Sequence, residues 1–150
     1  MRNPIGVAAH MVARFFTSLG QHPPSDEGRA WVRSVLSPQE WALWERSDNP
    51  DKRHSIAVAR RFASVRPEAT NAELAGAILH DIGKLECDLG TFGRVAATIV
   101  GPRGERFRAY HDHEEIGAEM VAAIGGDPAT VQLIRGEGPA YPDLQFCDHA

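Results

Sequence analysis

Cysteine is scarce in this 150-residue chain: Cys87 and Cys147 stand far apart and outside any C-x-x-C spacing. That excludes a disulfide framework and a zinc ribbon, and it favours a reducing, cytoplasmic setting. Long hydrophobic runs are also missing. The most apolar N-terminal stretch, residues 6–16, is broken by His10 and Arg14, well short of the ~18 apolar residues a membrane span needs. Neither membrane insertion nor secretion is expected. There is no excess of basic charge, with 16 Lys and Arg against 20 Asp and Glu for a net charge of -4. The balance is uneven: residues 1–66 carry ten basic and six acidic side chains, residues 67–150 six and fourteen. An acidic second half argues against a nucleic-acid platform and suits the surroundings of a cation, or simply a solvated surface.

Strand-like alternation, internal repeats and low-complexity tracts are absent as well. What is present is helix punctuation. Ser37-Pro38-Gln39-Glu40 and Thr70-Asn71-Ala72-Glu73 read as capping boxes. Asn49-Pro50 and Asp127-Pro128 each set a capping side chain before a proline suited to the first turn, and Gly125-Gly126 stops a preceding helix. Apolar residues recur at helical spacing. These signals predict an all-α fold, a bundle of seven to nine helices near 4–19, 25–35, 38–46, 50–65, 71–81, 91–100, 112–124, 128–135 and 142–148. The loops at 101–104 and 136–139 are too short to be domain linkers. One domain over 1–150 is expected, with 1–35 as a helical extension packed on it. A chain this long can bury about 70% of its unfolded surface and needs no structural metal, so any metal should be functional.

The histidines are the unusual feature. His54 shares a helical face with Ala57, Val58 and Phe62, so its imidazole should point inward. Alone it would read as a hydrogen-bonded core histidine. His80-Asp81, however, ends the apolar run 74–79, where a buried carboxylate must be paired or coordinated. His113 lies on the face of Ile116, Gly117, Met120, Val121 and Ile124, whereas His111 does not. Asp148 follows Leu144 and Cys147 on the last helix. Imidazoles and carboxylates converging from several helices are what a divalent transition metal requires. With open positions such a metal lowers the pKa of water toward ~7, the requirement for hydrolysis at neutral pH.

The order His54, then His80-Asp81-Ile82-Gly83-Lys84, then His113-x-x-x-Gly117, then Asp148 resembles the HD-domain superfamily of metal-dependent phosphohydrolases, from about residue 36 to the end. The resemblance implies an all-helical fold and assigns the metal to His54, His80, Asp81 and Asp148. It also implies a small phosphoester substrate, a nucleotide being one candidate, and makes Asp81, Lys84 and His113 the catalytic group. In this reading Asp81 accepts a proton, Lys84 offsets phosphate charge and His113 orients water or phosphate or supports a second ion. Dinuclear members carry a further histidine where this chain reads Gly136-Glu137-Gly138, so one metal per chain, Mn, Fe, Co, Ni or Zn, is expected. The H-D-G-Y-P signature of the cyclic-dinucleotide-cleaving branch is absent, as is the Glu-Asp dipeptide of the (p)ppGpp-hydrolysing branch. A di-iron oxygenase and a non-catalytic metal- or nucleotide-binding module are the alternatives, and a homodimer is left open.

Other residues carry less. Lys52 and Arg53 beside His54 are read as solvated, with phosphate neutralisation as the alternative, and Trp41 with Trp44 as a core or interhelical pair. Arg103, Arg106 and Arg108 around Tyr110 form a charged loop that could fold over a phosphate. His10, His22 and His149 are read as surface residues, with His149 also able to support its neighbour Asp148.

Overall fold

A computed structural model describes residues 20–86 and 112–150. The expected helices at 4–19 and 91–100, the loop at 101–104, the segment of Arg103, Arg106, Arg108 and Tyr110, and Cys87, His10 and His111 lie outside the described residues. Within them are seven α-helices: α1 (Asp26–Val35), α2 (Pro38–Glu45), α3 (Asn49–Val65), α4 (Asn71–Ile78), α5 (His113–Ala123), α6 (Pro128–Ile134) and α7 (Tyr141–Asp148). A short 3-10 helix, Ile82–Glu86, follows α4. The described residues contain no strand.

The helix starts follow the punctuation. Both capping boxes form: Ser37 and Thr70 accept from the backbone N–H of Glu40 and Glu73, and each glutamate side chain accepts in return from the cap's own N–H. Asp127 caps α6 by accepting from Ala129. One assignment shifts. The cap of α3 is Asp48, accepting from Asp51 N–H at 2.9 Å, and Asn49 is already helical, its amide donating instead to the Gln21 carbonyl. An aspartate one residue earlier takes the role because Asn49 adopts helical dihedrals before Pro50. The expected helix 71–81 also stops early, at Ile78, so His80 and Asp81 stand in the turn beyond it.

α4 sits at the centre, packed against α1, α3 and α6, while α5 packs on α6 and on the 3-10 helix, and α7 packs on α3. Its residues Ala75, Ala77 and Ile78, with Leu79 beyond, are buried, so the run lacks a polar face because it has no exposed side. Gly76 lets α6 come close: a Cβ there would stand 3.0 Å from Leu133 Cδ2. Val58 and Phe62 of α3, Val121 of α5 and Leu144 and Cys147 of α7 join the same core. Two expected inward positions do not: Ala57 and Ile124 are exposed, the latter at the last turn of α5, where the packed face runs out.

Trp44 is buried, donates from Nε1 to Ser55 Oγ at 2.9 Å and packs at a tilt on Trp41, 5.2 Å between ring centres. Lys52 is buried rather than solvated, 3.5 Å from Glu45 and over the Trp44 ring. Its aliphatic stem can lie on the indole while its charge is paired. Arg53 is also engaged, donating to the carbonyls of Gly20 and His22. Arg66, just past α3, pairs with Glu73 of α4 and Asp143 of α7 and so ties three helices together.

Candidate metal centre

Three segments bring the centre together. The first turns of α3 supply His54, the turn after α4 supplies His80 and Asp81, and the end of α7 supplies Asp148. One ligand atom from each of the four lies within 4.8 Å of all the others. His54 Nε2 stands 3.0 Å from Asp148 Oδ1 and 3.7 Å from Asp81 Oδ2. His80 Nε2 stands 3.2 Å and 3.4 Å from the same two oxygens.

His80 is oriented from behind. Its Nδ1 lies 2.7 Å from the Ala77 carbonyl, which can only accept a proton. Nδ1 therefore carries the hydrogen and Nε2 faces the cluster, the arrangement that prepares an imidazole to ligate a metal. Burial alone would lower the His80 pKa, but the charges of Asp81 and Asp148 outweigh it and raise it to about 9. Both carboxyls are held below their ordinary range. For Asp81, His80, Lys84 and His113 overcome burial; for Asp148, hydrogen bonds from His54 and His80 do so. Two carboxylates and two imidazoles form a donor set that could hold a cation, and its N and O chemistry fits a divalent transition metal.

His113 and Lys84 complete the Asp81 surroundings. His113 Nε2 is 3.0 Å from Asp81 Oδ1, and Lys84 Nζ is 2.8 Å from Oδ2. Lys84 therefore has its first commitment to Asp81 rather than to open space. Two glycines create the approach of His113. A Cβ on Gly83 would fall 1.9 Å from the His113 carbonyl oxygen, and one on Gly117 would fall 3.0 Å from the Gly83 nitrogen. The 3-10 helix and α5 thus cross backbone to backbone, and the crossing sets His113 against Asp81.

A pocket of about 330 Å³ opens on this cluster. Besides the sequence candidates it is lined by Glu114, Tyr141, Gln145 and apolar residues of α6 and α7. Sequence reading passed over Glu114, Tyr141 and Gln145. Tyr141, Leu144, Gln145 and Asp148 stand at i, i+3, i+4 and i+7, one helical face, but the expected helix began at 142 and left the tyrosine out. Burial raises the Glu114 carboxyl above its ordinary pKa, with His113 opposing. Burial also raises the Tyr141 phenol, helped by Glu114 and Asp148. His22 and Glu137 are exposed, and exposed His149 borders the pocket mouth.

The HD-domain family pattern matches residues 52–142. The chain belongs to the HD-domain family. The match includes His54, His80, Asp81 and His113, while Asp148 lies six residues beyond it and joins the HD-domain cluster through the packing of α7. Among curated proteins, the chain is similar to the nucleoside diphosphate kinases of Methylocella silvestris (31% identity over 91 residues, 59% of this chain and 64% of that protein) and Bartonella henselae (31% over 85, 55% and 57%). The one from Rhizobium etli is 32% identical over 87 residues, 55% of this chain and 58% of that protein. The chain spans about three-fifths of the length of the curated relatives it matches. No solved structure matches it. Among the described residues, no helix is long and apolar enough to cross a membrane.

Proposed function

We propose that this HD-domain protein is a phosphohydrolase of a small phosphoester, nucleotides foremost, working with one divalent transition metal held by His54, His80, Asp81 and Asp148. The observation that carries the proposal is the convergence of those four ligand atoms within 4.8 Å beside a pocket. When bound, a metal of the Mn, Fe, Co, Ni or Zn group would supply Lewis acidity toward a phosphoryl oxygen and lower the pKa of water. The protein supplies the rest. Asp81 turns Oδ2 toward His54 and His80 and Oδ1 toward His113, so one carboxylate links the ligand cluster to the pocket side.

Asp81 has both oxygens engaged, Oδ2 by His54, His80 and Lys84 and Oδ1 by His113. In this reading Asp81 orients rather than accepting a proton, and His113 is the group placed to hold water or a phosphoryl oxygen and to carry a proton. Lys84 keeps Asp81 ionised and adds positive potential for a phosphate. The names of the curated relatives recommend nucleoside phosphates as the first substrates to screen.

Elemental analysis of protein purified without chelators is the first test, with about one transition metal per chain expected. Asp81→Ala should abolish metal occupancy and phosphoester turnover together. An Asp81→Ala protein that keeps both overturns the ligand assignment, and two irons per chain with oxygen consumption would replace hydrolysis by oxygenation.

A further inference from the structure

Glu114 adds a carboxyl to the lining of the pocket that Lys84 also borders. Glu114, the second residue of α5, points its Oε2 at the turn between α6 and α7: a Cβ on Gly136 would lie 2.5 Å from Oε2 and 3.4 Å from Tyr141 Cζ. Gly136 has a φ of 85°, a left-handed conformation that favours glycine. The missing side chain leaves the volume that the carboxyl occupies. The Glu114 side chain is half-buried and lines the pocket. Its position is built by three elements, α5, the α6–α7 turn and α7, rather than left to a mobile surface rotamer.

The charges lining the pocket are mixed. The ligand cluster has His113 and Lys84 beside Asp81. Glu114 and Tyr141 line the same pocket beside the Gly136 turn, and the described lining residues include no arginine. A phosphoryl group seated at the ligand cluster meets positive potential. A second phosphate on the same substrate would share about 330 Å³ of space with the partly desolvated Glu114 carboxylate. Like charges brought together in a site of reduced dielectric cost far more than in water.

We propose that Glu114, held against Tyr141, is a specificity residue that selects substrates carrying a single phosphate and a neutral, hydroxyl-bearing leaving group over di- and triphosphates. This rests on the hydrolase reading above and adds a substrate class to it. Tyr141 offers a ring face and a hydroxyl to such a leaving group, and the Glu114 carboxylate accepts hydrogen bonds from its hydroxyls. A glutamate serving only the positive end of the α5 dipole would affect stability and leave substrate choice alone.

The test compares kcat/KM for adenosine mono-, di- and triphosphate with the Mn-loaded protein and its Glu114→Gln variant. Wild type should favour the monophosphate over the diphosphate by about tenfold or more, the effect of ~1.4 kcal/mol. Glu114→Gln should bring the ratio toward one, chiefly through a lower KM for the diphosphate. A second measurement does not depend on turnover: calorimetric binding of inorganic phosphate and of pyrophosphate with Mn kept in excess. Phosphate should bind wild type the more tightly, and the preference should shrink in Glu114→Gln. A diphosphate used as well as the monophosphate, or a ratio unmoved by Glu114→Gln while only the melting temperature changes, overturns the proposal. If nothing is hydrolysed but the phosphate preference and its loss are seen, the hydrolase reading fails and the specificity role of Glu114 stands.

Discussion

A histidine ligates a metal only after giving up its proton, and His80 holds that proton tightly. With the cluster free of metal, Asp81 and Asp148 keep its imidazole charged up to about pH 9. This folded value lies above the 6.5 of an ordinary histidine. The stabilisation from the pairing is therefore complete below pH 6.5 and lost as pH rises through about 9. Metal binding must displace the same proton. Chelator-treated protein should lose thermal stability between pH 6.5 and 9, and metal-loaded protein should be flatter over that window. The apparent Mn affinity should rise over the same window, with proton release read from calorimetry in buffers of different ionisation enthalpy. A Mn affinity independent of pH would contradict the His80 assignment. The ligand candidates were legible at this scale because His54, His80-Asp81 and Asp148 sit on or at the ends of apolar runs where charge needs a reason. Glu114 was not legible, since a glutamate near a helix start ordinarily serves the dipole. Its meaning comes from Gly136, in contact across the fold.

At the scale of elements, the decisive contact is the crossing of the 3-10 helix and α5. Gly83→Ala would set a methyl 1.9 Å from the His113 carbonyl oxygen, and backbone cannot rotate aside as a side chain can. The two elements must separate, which overpacked sites suggest will cost about 1–3 kcal/mol and will carry His113 away from Asp81. Urea unfolding should show the lower midpoint. Phosphoester turnover should fall even in protein that remains folded and metal-loaded. Both glycines stand in the motifs that suggested the family, but their reason is tertiary: neither H-D-I-G-K nor H-x-x-x-G shows that the two small residues face each other. Helix starts were readable because capping is a local negotiation within four residues, as both capping boxes demonstrate. Where the reading slipped, at Asn49 and at the end of α4, two neighbouring residues could each have taken the cap or the last turn.

For the molecule as a whole, Asp148 depends on α7 being fastened to the rest. Arg66 does part of that fastening, 3.2 Å from Asp143 on α7 and 3.1 Å from Glu73 on α4. Arg66→Ala should lower the melting temperature and weaken metal affinity a fewfold, although Arg66 touches no ligand. Unchanged affinity in a metal titration would show that α7 is held by its apolar face alone. Burial raises the Glu73 pKa, but the Thr70 N–H and Arg66 more than reverse this, leaving it lowered from 4.5. Its contribution is thus present above pH 4.5 and lost as pH falls below that value. The acid limb of the stability profile should accordingly be shallower in Arg66→Ala. By itself, the sequence determined the helical class, the positions of most helix starts and the identities of the ligand candidates, because these follow from capping, periodicity and the cost of charge on apolar faces. Only the tertiary structure decided that Lys84 belongs first to Asp81, that Lys52 is buried and that Gly83 meets α5. It also decided that Glu114 shares a pocket with the ligand cluster. Those facts are distances between residues remote in the chain, and packing, not local spacing, sets them.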